Sequence, residues 1–183
     1  MCGIVGSVNI DPRRPGDGEL VRQMCDAITH RGPDAEGFHL GPQVGLGMRR
    51  LQVIDLHTGA QPMSNETGTI QLVFNGEIYN YRELRTRLVN SGHQFKTQSD
   101  TEVIVHLYEE CGANFVEQLR GMFAIALWDT TQRTLILARD RLGKKPLFYA
   151  QTPTGISFAS ELSALMLDPA ISTELDQIAI DEY

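Results

Sequence analysis

The sequence predicts an α+β domain in which largely antiparallel β-sheets are covered by α-helices. Two pairs of strand-like segments are joined by short connections, residues 129–133 and 152–155, which leave no room for a crossover between parallel strands. The strand-like segment 124–128 is apolar at nearly every position, as expected for a strand that is buried on both faces. Helices packed outside the sheets would bury such strands.

Strand-like segments occur along most of the chain, each rich in apolar or β-branched residues and bounded by turn residues. They cover residues 3–9, 43–48, 70–74, 123–128, 134–138, 147–151 and 156–159. Segments rich in glycine and proline are predicted to be loops within one domain: 11–18, 31–37 and 59–68.

Two helices are predicted from apolar spacing and capping residues. The first follows Asn80 as N-cap and ends at Gly92. Its apolar face carries Tyr81, Leu84 and Leu88. The second covers residues 101–111, with Ser99 and Glu102 forming a capping box. Weaker helical patterns cover residues 18–29, 160–167 and 173–183.

The composition is that of one globular domain. Of 183 residues, 42% are hydrophobic and 21% are charged, which excludes disordered, collagen-like and membrane-spanning classes. The formal net charge of −7 repels phosphate backbones and anionic lipid headgroups, so neither nucleic acid nor a membrane is an expected partner. Residues 1–10 lack the pattern of a secretory signal, and three cysteines without a C-x-x-C pair suit a reducing compartment. We therefore expect a cytoplasmic protein.

Cys2 stands out because a small residue after an initiator methionine normally permits removal of that methionine. Cys2 would then carry a free α-amine, which titrates close to neutrality and can take the thiol proton itself. Nucleophile and general base would belong to one residue, as in N-terminal threonine nucleophiles. On position alone, an accidental cysteine at the head of a plain core strand is the commoner explanation.

The dipeptide Asn75-Gly76 follows the strand-like segment 70–74 and also has two explanations. Asn-Gly is usually a turn. Alternatively, the side-chain amide of Asn75 and the backbone N–H of Gly76 could converge on a developing oxyanion.

Two charged residues likewise have an ordinary and a functional explanation. Arg50 is by default a solvated charge, but beside an apolar segment it can hold a carboxylate in a two-pronged grip. Asp100 is expected near a helix start because a carboxylate complements the helix dipole. If Ser99 is the cap, the Asp100 carboxylate is available to accept a substrate ammonium group.

Eight short motifs follow one another along nearly the whole chain. They are MCGI (1–4), HRGPD (30–34), RLQVID (50–55), GAQPM (59–63), NGEIYN (75–80), SDTE (99–102), GMFA (121–124) and RDRLG (139–143). In this order they resemble the glutaminase domain of class II glutamine amidotransferases, and most closely that of glutamine-hydrolysing asparagine synthetases. Met48 departs from the family pattern, in which a histidine is common at that place.

The resemblance implies the N-terminal-nucleophile hydrolase fold, a four-layer αββα sandwich with two largely antiparallel sheets. It implies that Cys2 is the nucleophile and that Asn75 and Gly76 are the oxyanion donors. It also implies substrate contacts from Arg50 and the backbone of Leu51, Gln52, Val53 and Ile54 for the carboxylate and loop, and from Glu77 and Asp100 for the α-amino end.

The resemblance further implies that residues 1–167 form the glutaminase domain and that residues 168–183 connect it to a synthetase domain that this chain lacks. L-Glutamine would be hydrolysed to L-glutamate and ammonia through a γ-glutamyl thioester on Cys2. The ammonia would supply ATP-dependent asparagine synthesis from aspartate in the full-length enzyme. The glutaminase is expected to need no cofactor, and ATP and Mg²⁺ are expected only for the synthetase domain, whose Ser-Gly-Gly-x-Asp-Ser loop does not occur here.

Three alternatives stay open on the sequence alone. The domain could serve an amidotransferase with a different acceptor, or it could be a catalytically idle binding module. Cys2 could instead ligate a metal with His30 or His39, although no ligand spacing supports this. The oligomeric state is also open, a homodimer included.

The remaining histidines and cysteines suggest no chemistry. His57, His93 and His106 have no evident partner in the sequence. Cys25 and Cys111 are expected to be inert hydrophobic residues.

Overall fold

The structure is a computed structural model that describes residues 2–51, 59–174 and 177–182. The predicted site residues Gln52, Val53 and Ile54 lie outside the described residues. The strands are β1 (Gly3–Asn9), β2 (Ala35–Leu40), β3 (Val44–Arg50), β4 (Met63–Ser64), β5 (Ile70–Ile78), β6 (Gly121–Asp129), β7 (Thr134–Arg139), β8 (Phe148–Thr152) and β9 (Gly155–Ala159).

The strands form two antiparallel sheets. The first has the order β2-β3-β1-β9-β8, and the second has the order β4-β5-β6-β7. Because β1 is the central strand of the first sheet, the backbone that follows Cys2 is held between β3 and β9. The prediction of largely antiparallel sheets is confirmed.

Five α-helices complete the described part of the chain. They are α1 (Gly18–Ala27), α2 (Tyr81–Asn90), α3 (Glu102–Cys111), α4 (Leu162–Leu165) and α5 (Gln177–Glu182), with 3₁₀ turns at Thr29–Arg31 and Gly112–Gln118. Among the described residues, no helix has the length and apolar character that crossing a membrane would require.

The elements stack in four layers, α–β–β–α. Ile4, Leu46 and Val73 belong to the apolar cluster between the two sheets. Helices α1 and α4 pack on the outer face of the first sheet, and α2 and α3 pack on the outer face of the second. Alternate residues of β6 therefore face the other sheet and the helices, which explains why residues 124–128 are apolar throughout.

Strand β5 continues through Asn75 and Gly76, so the interpretation of this dipeptide as a turn is wrong. Asn75 pairs with Ala124 of β6, and Gly76 pairs with Phe123. A Cβ atom at Gly76 would collide with the carbonyl oxygen of Met122. The glycine is required by close approach of two strands, which a local sequence pattern does not distinguish from a turn.

The predicted capping contacts are wrong, although both helices are present. Ser99 and Glu102 form no capping box, because the Ser99 hydroxyl accepts from the N–H of Thr101. The Glu102 carboxylate instead accepts from the N–H groups of Lys96 and Thr97.

Asn80 occupies the N-cap position of α2 but makes no side-chain cap hydrogen bond. Its amide nitrogen donates to the carbonyl of Gln118, and its amide oxygen accepts from the N–H of Arg120. The side chain therefore joins the start of α2 to the segment that enters β6.

Two predicted loops contain strand residues: β4 lies within the predicted loop 59–68, and part of the predicted loop 31–37 belongs to β2. This strand lies at the edge of the first sheet and is only partly buried, so its sequence has no clear apolar alternation. Its pairing with β3, from Ala35 with Arg50 to Leu40 with Gly45, decides its conformation.

The carboxylate of Asp140 organises the segment that follows β7. Its Oδ1 atom accepts from the N–H groups of Leu142 and Lys144, at 3.2 and 2.9 Å. Its Oδ2 atom accepts from the N–H groups of Phe123 and Lys145, at 3.2 and 3.0 Å. Burial acts to raise the pKa of Asp140, but the four backbone donors outweigh it, and the pKa lies below its ordinary value.

We expect Asp140→Asn to lower the free energy of unfolding by about 1–3 kcal/mol, because an amide NH₂ would face two backbone donors. The folded-state pKa of Asp140 is below the ordinary aspartate value of about 3.9, so its stabilising contribution is present at neutral pH. The contribution is lost as pH falls through the folded-state pKa, and the penalty of the variant should shrink there. Urea unfolding at neutral and acidic pH measures both effects. Glu117→Gln, at an exposed position, is the control, and equal stability of the two variants would contradict this account.

Candidate active site

A cavity of about 230 Å³ lies where β1 and α3 begin and β3 and β5 end. Every predicted site residue that the structure describes lines it: Cys2, Arg50, Leu51, Asn75, Gly76, Glu77 and Asp100. Further lining residues, which were not predicted to belong to the site, are Gly59, Gln61, Phe74, Ser99, Thr101, Met122 and Lys145. The structure thus brings together residues that are far apart in the chain.

Cys2 is held through its backbone carbonyl by Arg31, and its thiol lies beside the backbone of Leu51. Its Sγ atom is 3.6 Å from the carbonyl oxygen of Leu51. Its own carbonyl accepts from Arg31 Nε at 3.0 Å, and Arg31 Nη1 donates to Glu161 at 2.9 Å. The Arg31–Glu161 pair therefore holds the residue that carries the thiol.

The contact between Arg31 and Glu161 was not predicted from the sequence. Arg31 belongs to the HRGPD motif, which contributed to the family resemblance but predicted no contact for this arginine. Glu161 follows β9 and lies 130 positions from Arg31, so only the tertiary structure shows the contact. A Cβ atom at Gly3 would lie 2.6 Å from Ile28 Cδ1 and 3.1 Å from Arg31 Cδ, so the glycine leaves the space that the arginine side chain occupies.

The backbone N–H of Gly76 points toward the cavity. Alternate residues of a strand direct their N–H groups to the same edge. In β5, the N–H of Phe74 donates to the Gln61 side chain at 2.7 Å, and the N–H of Ile78 donates to Asp100 at 2.8 Å. Gly76 is two positions from each of them, so its N–H points to the same edge of the strand. At that edge, Gln61 and Asp100 line the cavity.

The side-chain amide of Asn75 supplies a second donor. Asn75 is 1% exposed, and its Nδ2 atom has no hydrogen-bond partner among the described residues. It lies two positions after Val73 on the face of β5 that meets the first sheet, and Cys2 packs against the same cluster as Val73. A buried donor without a partner is costly unless a ligand satisfies it, so this amide is suited to bind an oxygen atom near the thiol.

Charges of both signs surround the cavity. Arg50, at the end of β3, is 7% exposed, and Asp100 is 5% exposed. Burial raises the pKa of Asp100, and the neighbouring carboxylate of Glu77 raises it further against the opposing hydrogen bond from Ile78. A buried guanidinium and two carboxylates in one cavity complement a ligand that carries both a carboxylate and an ammonium group.

The histidines of the metal alternative lie elsewhere. His30 Nε2 is 3.0 Å from the Glu161 carboxylate, and His39 is on β2. Neither is among the described residues that line the cavity with Cys2.

The other cysteines differ in their surroundings. Cys25 is fully buried under the first sheet, and burial raises the pKa of its thiol to about 12, which makes it unreactive. Cys111, at the end of α3, accepts a hydrogen bond from Gln118 Nε2.

A protein-family model described as a glutamine amidotransferase domain matches the whole chain, residues 1–183. Similar proteins include asparagine synthetase [glutamine-hydrolyzing] 2 of Bacillus subtilis (strain 168), 48% identical over 92% of this chain and 23% of that protein. Asparagine synthetase [glutamine-hydrolyzing] 1 of the same organism is 43% identical over 100% of this chain and 29% of that protein. Asparagine synthetase [glutamine-hydrolyzing] 3 of Arabidopsis thaliana is 42% identical over 92% and 29%. The chain spans less than a third of the length of these relatives.

Solved structures share the fold. The glutamine phosphoribosylpyrophosphate amidotransferase from B. subtilis, complexed with ADP and GMP, superposes with a TM-score of 0.72 at 24% identity, over 91% of this chain and 43% of that one. A structure described as the allosteric regulatory enzyme of purine biosynthesis superposes with a TM-score of 0.73 at 23% identity, over the same shares. The predicted αββα fold of N-terminal-nucleophile hydrolases is confirmed.

We expect Glu77→Gln to lower the pKa of Asp100, because the substitution removes a nearby negative charge that disfavours ionisation of Asp100. A pH titration of the Asp100 side-chain carboxyl by ¹³C NMR measures the shift. Glu83→Gln, on the exposed side of α2, should leave the titration unchanged. An Asp100 titration that is identical in all three proteins would show that the two carboxylates do not interact.

Proposed function

We propose that this chain, which belongs to the glutamine amidotransferase family, hydrolyses L-glutamine to L-glutamate and ammonia. The observation that carries the proposal is the buried amide nitrogen of Asn75, which has no hydrogen-bond partner among the described residues and belongs to the cavity that Cys2 also lines. A nucleophile beside an oxyanion donor is the arrangement that acyl transfer requires. The names of the relatives, which are glutamine-hydrolysing enzymes, support the same substrate.

The reaction begins with Cys2, after removal of Met1 has freed its α-amine. The thiol sulfur attacks the side-chain amide carbon of glutamine while the amine accepts the thiol proton. The electron pair of the carbonyl bond moves onto its oxygen, and the resulting oxyanion is stabilised by Asn75 Nδ2 and the N–H of Gly76.

Collapse of this tetrahedral intermediate breaks the carbon–nitrogen bond. The protonated α-amine of Cys2 gives its proton to the leaving nitrogen, which departs as ammonia, and a γ-glutamyl thioester remains. Water then attacks the thioester with the same amine as general base, which releases glutamate and regenerates the thiol. All these steps use groups of Cys2, Asn75 and Gly76.

Recognition of glutamine depends on its charged head group. Arg50 binds the α-carboxylate, with the backbone of Leu51 beside it, while Glu77 and Asp100 bind the α-ammonium group. Ligand charge next to Asp100 would favour the ionised carboxylate that burial disfavours. Because both ends of the head group are held, the side-chain amide reaches Cys2 only at the length of glutamine.

We further propose that residues 1–167 are the glutaminase domain of a longer asparagine synthetase and that residues 168–183 begin the connection to its synthetase domain. The relatives at 38–48% identity are named asparagine synthetases and are longer than this chain. In that longer protein, ATP and Mg²⁺ would serve the synthetase domain and aspartate would accept the ammonia. Residues 168–171 are attached to the first sheet and its helices. The Asp168 carboxylate accepts a hydrogen bond from the Ser157 hydroxyl on β9, and Ile171 packs against the apolar cluster between α1 and the first sheet.

We expect Cys2→Ala to reduce release of ammonia from L-glutamine by at least about 10³-fold, because no other residue supplies the nucleophile. Coupled detection of ammonia and glutamate measures the rate, and intact mass of the active wild-type protein should lack one methionine. Cys111→Ala removes a different, partly buried thiol and should retain activity. Equal rates of Cys2→Ala and wild type would exclude the proposed nucleophile and favour an idle binding module.

We expect Asn75→Ala to lower kcat by about 10²–10³-fold with little change in KM, because the oxyanion forms only in the transition state. Asp100→Asn should mainly raise KM, since the Asp100 carboxylate would contact the substrate head group in both the ground state and the transition state. Asn114→Ala, at an exposed position, is the control, and circular dichroism checks that each variant is folded. A raised KM with unchanged kcat in Asn75→Ala would contradict the oxyanion role.

A further inference from the structure

A second group of ionisable side chains lies outside the cavity. It consists of Glu66, His93, His106 and Glu109, here called the His/Glu cluster. The interpretation of His93 and His106 as residues without partners is therefore wrong. None of the four residues lines the cavity described above.

The polar atoms of the His/Glu cluster lie close to one another. One atom from each residue lies within 4.8 Å of the atoms from the other three. His106 Nδ1 is 3.1 Å from Glu109 Oε2 and 3.5 Å from Glu66 Oε2. His93 Nδ1 is 3.6 Å from Glu109 Oε2 and 3.9 Å from Glu66 Oε1.

Three separate segments contribute these residues. Glu66 lies between β4 and β5, and His93 lies between α2 and α3. His93 directly follows Gly92, which forms a turn with a φ of +105°. His106 and Glu109 are three positions apart on α3 and so share one face of the helix.

Neighbouring groups orient the members of the cluster. Asn65 Nδ2 donates to Glu109 Oε1 at 2.8 Å, and the N–H of Gln94 donates to Glu66 Oε1 at 3.1 Å. These contacts limit the motion of both carboxylates.

The second nitrogen of each imidazole also faces a carboxylate. His106 Nε2 lies 3.8 Å from Glu102 Oε1, and His93 Nε2 lies 3.7 Å from Glu110 Oε1. Carboxylates in this outer position are typical of histidines that ligate a metal. His106 is also 1% exposed, and its Nε2 atom has no hydrogen-bond partner among the described residues.

We propose that the His/Glu cluster binds a divalent transition-metal ion, Zn²⁺ in the first place, as a structural site. Two imidazole nitrogens and two carboxylate oxygens form a donor set that suits Zn²⁺. Ligands about 2.0–2.2 Å from a tetrahedral ion are about 3.3–3.6 Å from each other. Four histidine–carboxylate distances within the cluster, 3.1 to 3.9 Å, span this range. The candidate ligand atoms lie within 4.8 Å of one another, so an ion bound at tetrahedral distances would draw them closer together.

The bound ion would join the β4–β5 connection to α3 and to the segment before it. Four protein ligands leave no open position, so the site stabilises the fold and takes no part in chemistry. The segment from His93 to His106 includes Asp100, so the ion would also hold one wall of the cavity in place. The proposal is independent of glutamine hydrolysis, because it rests on other residues.

Titration with Zn²⁺ tests the proposal directly. The chain carries Cys2→Ala to remove the thiol in the cavity, is treated with a chelator, and is titrated with ZnCl₂ in a calorimeter. We expect one ion per chain and a higher Tm with Zn²⁺ than with chelator. Co²⁺ bound in its place should show the intense visible absorption of a four-coordinate ion.

Variants distinguish this site from adventitious binding. His93→Gln and Glu66→Gln alter partly exposed residues, so they should fold, and each should weaken Zn²⁺ binding by at least about tenfold and abolish the Tm shift. His30→Gln is the matched control, because His30 also pairs with a glutamate but its side chain is 62% exposed and outside the cluster. Absence of saturable binding, equal affinity in all variants, or a six-coordinate Co²⁺ spectrum would overturn the proposal.

Discussion

The antiparallel pairing of β5 with β6 is the constraint on which the candidate active site depends. Because the pairing continues to Ile78, Asn75 and Gly76 keep strand geometry in place of a turn. Strand geometry sends the Asn75 side chain between the sheets and directs the Gly76 N–H to the free edge, where Gln61 and Asp100 accept from its neighbours. Stacking of the two sheets then brings Cys2, at the start of the central strand β1, to the same cavity.

Buried polar groups in this protein differ in how far hydrogen bonds within the protein satisfy them. Asp140 receives four backbone hydrogen bonds, which lower its pKa and make it a structural anchor. Burial raises the pKa of Asp100 and the nearby carboxylate of Glu77 raises it further, although hydrogen bonds from Ile78 and Ser99 act in the opposite direction. The amide nitrogen of Asn75, which lines the same cavity as Asp100, has no hydrogen-bond partner among the described residues. Such unused capacity at a cavity is the physical mark of a binding site.

Helix α3 links the cavity to the His/Glu cluster. Asp100 lies two positions before the first residue of α3, while His106 and Glu109 lie on later turns of the helix. The residues between His93 and α3 are tied by the Glu102 carboxylate, which accepts from the N–H groups of Lys96 and Thr97. Burial acts to raise the pKa of Glu102, but these donors and His106 lower it to about 2. One helix therefore supports both regions through charged groups that are fixed by the backbone.

The sequence by itself predicted the layers and the candidate site residues, and those that the structure describes line one cavity. Apolar runs on both faces, short connections and helical spacing depend on neighbours in the chain, and ordered motifs such as MCGI and NGEIYN carried the resemblance. Only the tertiary structure decided the strand conformation of Asn75-Gly76, the contacts of Ser99 and Asn80, and the partners of Arg31, His93 and His106. Each of these depends on a group supplied by another segment, and local propensity contains no information about which segment that is.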